Sequence, residues 1–347
     1  MSAKANGRTD FRVCVEFMAP RELATPAVQR LLVAHRVAPM LAVHPGDDAE
    51  ALEALAPYAA AGLPACAWPL LSDEEGYWPS ERNVVRFSQR VAELLETARG
   101  RPPPWIAIDL EPPLGDLAAL RQPLSWRAFP GLVDRAWHHL DRAEFEAAQR
   151  VYTALQHKIA ATHTRTLAIS YPFVAADYGL IRSQAMQDLC EAPLECGWDR
   201  IAIMTYGSLM AGYSQGLFSS EDVRWYGYRA LGRMAQAFPG CAGAFLGIVG
   251  HGKLGDEPSY ETPEELARDA AAARAAGVAE IGLFCLEGLL GRPNPEAWLQ
   301  ALTEPTSVPP PRRWRGELLH RGLGAIGLAA QAVRSARACR MAVSQRK

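Results

Sequence analysis

Eight short apolar runs, separated by longer amphipathic stretches, constrain this chain most tightly. In order they are FRVCVEF (11–17), APMLAV (38–43), PACAWPL (64–70), WIAIDLE (105–111), TLAISYP (166–172), RIAIMTY (200–206), AGAFLGIV (242–249) and EIGLFCLE (280–287). Runs rich in Val, Ile, Ala and Leu at successive positions are what strands need when both faces are buried. The stretches between them place apolar residues at three-to-four spacing, as in SERNVVRFSQRVAELLETARG, which suits helices lying on a sheet. Two of these stretches open on Thr-Pro, with Thr25 and Thr262 as N-caps and Pro26 and Pro263 at the first helical position. Glu265 stands where a capping box requires it, and Gly277 can end that helix. The alternation over residues 11–304 predicts an α/β chain folded as a single (β/α)8 TIM barrel. An open doubly wound sheet would instead show a glycine-rich phosphate turn after an early strand, and this sequence has none.

Residues 1–10 form a lead without the apolar stretch of a secretion signal, and no uncharged run reaches the roughly 20 residues of a spanning helix. The seven cysteines are scattered, with no C-x-x-C pair, so reduced thiols in a cytoplasmic protein are expected. A net charge of −2 gives no reason to expect nucleic acid as a partner. The charge is nevertheless uneven. Residues 305–347 are a Pro-rich linker (SVPPPRRWR) and a basic tail, in which Arg312–Lys347 carries eight Arg, one Lys and one Glu. Leu318, Leu319, Ile326, Leu328 and Val333 lie among these basic residues, so 312–347 is a candidate for a peripheral membrane surface or an acidic partner. Gly322, Gly324 and Gly327 weaken a helix there, which leaves a solvated tail as the alternative.

Barrel enzymes build their sites at the C-terminal ends of the strands. Those ends present Glu16, His44, Trp68, Asp109 with Glu111, Tyr171, Tyr206, His251 and Glu287, and the long loops that follow add Tyr77, Trp78, Trp126 and Tyr213. Residues two apart in a strand face the same side, so Asp109 and Glu111 point together. Like charges held close raise one pKa, so Asp109 is expected to keep Glu111 protonated as the proton donor. Carboxylates ringed by aromatic faces suit a carbohydrate ligand, because glycosidic cleavage needs an acid at the leaving oxygen and negative charge near the developing cation. Glu16, Trp68, Tyr77, Trp78, Tyr171 and His251 are the expected substrate contacts. A metal site would require His44, His251, Glu16 and Asp109 to converge. Without an H-x-H on the first strand neither a metal nor another cofactor is expected.

The runs IAIDLE, SYPF and IMTYG together resemble the chitinase-like family 18 glycoside hydrolases, whose fourth strand ends in D-x-x-D-x-D-x-E and whose sixth carries Met-Thr-Tyr-Asp. The resemblance implies a TIM barrel in which Glu111 is the general acid/base and Asp109 orients a substrate acetamido group. It also implies that Tyr206 hydrogen-bonds that group as it attacks the anomeric carbon, with no protein nucleophile. Were the route an ordinary two-carboxylate one, Glu287 is the candidate for the second carboxylate. The family's earlier acids fall on Pro104 and Ala107, the acid after its tyrosine falls on Gly207, and its eighth-strand tryptophan is absent. These departures keep open a second reading, a non-catalytic sugar-binding or scaffold barrel recruited through its basic tail.

Overall fold

In the computed structural model, which describes residues 9–112, 140, 142–253 and 255–344, the eight runs become parallel strands. They are β1 (Asp10–Val15), β2 (Val37–Val43), β3 (Cys66–Pro69), β4 (Trp105–Asp109), β5 (Arg165–Ser170), β6 (Arg200–Met204), β7 (Ala242–Gly247) and β8 (Glu280–Phe284). Each pairs with the next and β8 pairs with β1, so the sheet closes on itself as the expected (β/α)8 barrel. Among the described residues the helices are α1 (Pro20–Leu23), α2 (Pro26–His35), α3 (Asp48–Ala60), α4 (Val84–Thr97), α5 (Arg142–Ala160) and α6 (Ala185–Leu189). They continue with α7 (Gly207–Tyr213), α8 (Ser220–Ala237), α9 (Pro263–Ala275), α10 (Leu286–Leu290), α11 (Pro295–Thr303) and α12 (Trp314–Ser344).

The helix-start signals act locally. Glu265 reaches back to accept the backbone N–H of Glu261 at 2.8 Å and of Thr262 at 3.4 Å, and Gly277 follows α9 at φ +86°. Thr25 stands at the start of α2, but its hydroxyl donates to the Glu22 carbonyl at 2.9 Å and makes no cap bond. The preceding turn, α1, offers that acceptor first.

Strand alternation divides the core in two. Ile106, Ile108 and Leu110 face the helices, whereas Trp105 and Ala107 face the barrel interior. The interior is filled from below. Arg12, fully buried, donates from Nε to Glu280 Oε1 at 3.0 Å, with Arg200 3.7 Å from the other carboxylate oxygen. The Trp105 ring lies 4.7 Å from the Arg12 guanidinium carbon. The Phe245 ring lies against the neighbouring strand, which requires Gly282 there, since a Cβ would stand 2.3 Å from Phe245 Cε1. Charge pairs and aromatic rings thus fill the barrel interior beneath the C-terminal ends of the strands.

The basic segment read from the sequence as an appendage is a long helix docked on the outside of the barrel. It turns Glu317, His320, Ala330 and Arg334 inward, and Arg334 Nε lies 2.7 Å from Asp188 Oδ2 in a pair shielded from solvent. Gly316 brings α12 onto α8, because a Cβ there would lie 2.2 Å from the Asp222 carbonyl oxygen.

Candidate active site

A cavity of about 420 Å³ opens at the C-terminal end of the strands. Asp109 ends β4, but the chain stays extended beyond it. The Leu110 N–H donates to the Ile169 carbonyl at 2.8 Å and the Glu111 N–H to the Pro79 carbonyl at 3.1 Å. The period of two therefore persists, and both carboxyls line the cavity as expected from their spacing. The Tyr171 hydroxyl, at the end of β5, donates to Glu111 Oε2 at 2.5 Å. The two carboxyls stand close enough for each to shift the other's pKa.

Burial, then the neighbouring charges of Glu111 and Glu16, holds Asp109 well above the usual carboxylate range. Burial lifts Glu111 to about 7, against the opposing hydrogen bonds from Tyr171 and Asp109. Both carboxyls therefore hold a proton more readily than ordinary ones do; Glu111 has Tyr171 to stabilise its charge, whereas Asp109 Oδ1 is buried without a partner.

Glu16, just past β1, also lines the cavity. It accepts the Tyr77 hydroxyl at 2.7 Å, and burial, with Glu111 and Glu287 nearby, raises it to about 8. Tyr77 itself stands behind Glu16, edge-on to Trp78 at 4.8 Å, with the Lys253 ammonium 4.0 Å from its ring centre. Its place depends on the loop after β3. Gly76 and Tyr77 take φ of +108° and +65°. Asn83 then ties the loop down, donating to the carbonyls of Glu75 at 3.1 Å and Trp78 at 2.9 Å. Trp68 and Trp78 line the cavity, and both indole N–H groups are buried without a hydrogen-bond partner. Tyr206 lines it too, its ring 5.9 Å from Phe284. Burial keeps the Tyr171 and Tyr206 phenols protonated, as donors.

Besides Tyr77, which does not line the cavity, two further candidates stand elsewhere. Glu287 lies in α10, outside the cavity lining, and one of its carboxylate oxygens accepts the backbone N–H groups of Glu16, Phe17 and Met18 at 2.8, 2.9 and 3.0 Å. The inward position of β8 is Phe284, and the chain turns into a helix at Leu286, which swings Glu287 toward the β1 loop. His251 is exposed at the rim, its ring 5.1 Å from Phe17, and does not line the cavity. His44 packs 6.1 Å from the Tyr77 ring and does not line it either. The four residues weighed for a metal are thus not assembled, and the described residues contain no cluster of three or more His, Cys, Asp or Glu that could hold one. Trp126 falls outside the described residues.

Sequence reading missed Lys253, Asp256 and Glu257, which enter the lining from the loop after β7. The signal was present: HGKLGDEPSYE is a charged loop directly following a strand end. Gly207, where the resembled family has an acid, has no room for one. A Cβ there would stand 2.6 Å from Asp269 Oδ2, a carboxylate engaged by Tyr260 and Arg224.

No family model matches the sequence, and no curated protein matches it. Solved structures do resemble the fold. The glycoside hydrolase domain of PgaB (BpsB) from Bordetella bronchiseptica aligns with a TM-score of 0.51 and 13% identity, over 86% of this chain and 100% of that one. A glycoside hydrolase family 5 enzyme from Prevotella bryantii gives 0.51 and 12%, over 86% and 96%. A class V chitinase from Pseudomonas fluorescens gives 0.50 and 12%, over 85% and 100%. These neighbours are glycoside hydrolases on the same barrel. At such identities the likeness establishes the fold.

Proposed function

We propose that the barrel is a glycan hydrolase in which Glu111 is the general acid/base, Asp109 its partner, and the substrate's own acetamido group the nucleophile. The observation that carries this reading is the Asp109–Glu111 pair itself, two buried carboxyls side by side in the lining of an aromatic-walled cavity, with Glu111 raised to about 7. A group with that pKa can give up a proton to the glycosidic oxygen near neutral pH and take one back from water in the next step. In this reading Tyr206, a protonated donor, holds an acetamido oxygen and Asp109 polarises the amide N–H.

The surroundings of Glu287 and Glu16 count against either as the second carboxylate of an ordinary route. Glu287 is occupied by three backbone N–H groups, and burial raises Glu16 to about 8, which favours its neutral form. The indole rings of Trp68 and Trp78 in the cavity lining suit the apolar C–H faces of sugar rings. The layout agrees with the resemblance to family 18 enzymes at Asp109, Glu111 and Tyr206. Gly207, Pro104 and Ala107 favour the second reading, a barrel that binds sugar without cleaving it.

Paired substrates test the mechanism. Oligomers of N-acetylglucosamine should be cleaved at least about 100-fold faster than the same oligomers with the acetyl groups removed. Equal rates on the two would overturn substrate assistance.

A further inference from the structure

Large apolar side chains left exposed among the described residues gather on one side of the molecule. Seven of twelve are there: Leu180, Ile181, Leu217, Trp314, Leu318, Ile326 and Leu328. The last four belong to α12. Leu180 and Ile181 tip a loop between the 3-10 turn Pro172–Asp177 and α6, which together with α8 are the pieces on which α12 rests. Gly327 makes that seat close, since a Cβ there would stand 3.2 Å from Met186 Cγ and 3.8 Å from Ala176 Cβ.

The outward residues of α12 are not spare core, because the inward face is already formed by Glu317, His320, Ala330 and Arg334. Between Gly322 and Ala336 the exposed side chains are Ala325, Ile326, Leu328, Ala329, Ala332 and Ala336, with Ser335 the sole polar one. A solvated helix face carries charge, whereas an exposed apolar strip marks a docking site. This strip is bracketed by cations. Arg312, Arg313, Arg315 and Arg321 precede it, Arg337 follows, and the sequence continues to Arg340, Arg346 and Lys347. The helix's one acid, Glu317, is buried and held by Arg229 and Arg321.

We propose that this face, α12 together with the Leu180–Ile181 loop, seats the protein on an anionic membrane surface. Charge decides between occupants. Both ends of the strip are basic, so a second copy would set arginines against arginines in either orientation, whereas anionic headgroups neutralise both ends while the strip and the loop tip enter the interface. Attachment is peripheral: no helix of the described residues is long and apolar enough to cross a membrane.

Full-length protein pelleted with vesicles tests this. Vesicles containing phosphatidylglycerol should carry down about tenfold more protein than phosphatidylcholine alone, and added salt should weaken the effect. Two variant pairs, Leu180→Glu with Ile181→Glu and Ile326→Glu with Leu328→Glu, change only exposed positions. Thermal melting checks that both remain folded. Each pair should reduce pelleting about tenfold. Wild-type pelleting by both folded pairs would overturn the proposal, as would no preference for the anionic lipid. A dimer in size-exclusion chromatography that dissociates in these variants would overturn it in favour of a second copy.

Discussion

Three residues in the cavity lining control where its protons sit, and each leaves a measurable trace. Glu111 must be protonated to donate, so activity should fall as pH rises through about 7. Tyr171→Phe removes a hydrogen bond to the charged form of Glu111, which raises its pKa. The basic limb of the kcat/KM profile should then move to higher pH, and an unmoved limb would mean that Tyr171 does not tune the acid. Glu16 speaks to stability instead. Its carboxyl, ordinarily near 4.5, is raised to about 8 by burial. Between those values the native state keeps a proton that the unfolded chain has lost, so stability falls as pH rises across that window and levels off above it. Glu16→Gln, neutral throughout, should make that slope shallower in thermal melts between pH 5 and 8, where Asp109 and Glu111 add to it, while an unchanged slope would mean that Glu16 contributes nothing to it.

At the scale of elements, what was legible in the sequence and what was not have physical causes. The eight strands were legible because a parallel barrel buries both strand faces, leaving unbroken apolar runs. Asp109 and Glu111 were legible as a pair because a period of two needs no tertiary information. Glu287 and His251 were misplaced for a shared reason: proximity to a strand end is visible in sequence, but the side chain's direction depends on where the strand stops. Here β8 stops at Phe284 and helix begins at Leu286. Tyr77 reaches Glu16 through a left-handed backbone, which no residue-type pattern announces. The docking of α12 was hard to read because its inward face mixes Leu319, Leu323, Ala330 and Val333 with Gly316, Glu317, His320, Gly327 and Arg334, which interrupt the apolar stripe. That docking has a test. Arg334→Ala removes the cation facing the fully buried Asp188 carboxylate, and the loss should cost about 3–5 kcal/mol of stability, read from denaturant unfolding. A loss below about 1 kcal/mol would mean that the pair does not hold the helix in place.

For the whole molecule, the sequence's division of charge takes on a spatial meaning. The segment from Arg312 onward carries about +8 and the rest about −10. The basic helix lies on the outside of the barrel, and the acids Glu16, Asp109 and Glu111 line the cavity at the strand ends. A charge-paired barrel interior and a cavity rich in carboxyls make one end of the barrel the place where chemistry can occur. Hydrolysis of N-acetylglucosamine oligomers by the wild-type chain and by Glu111→Gln tests that claim most directly. Wild-type turnover with a kcat loss of at least about 100-fold in the folded variant, and little change in KM, is the expected result. Equal turnover by the two, or tight oligomer binding by a wild-type protein that cleaves nothing, would contradict it.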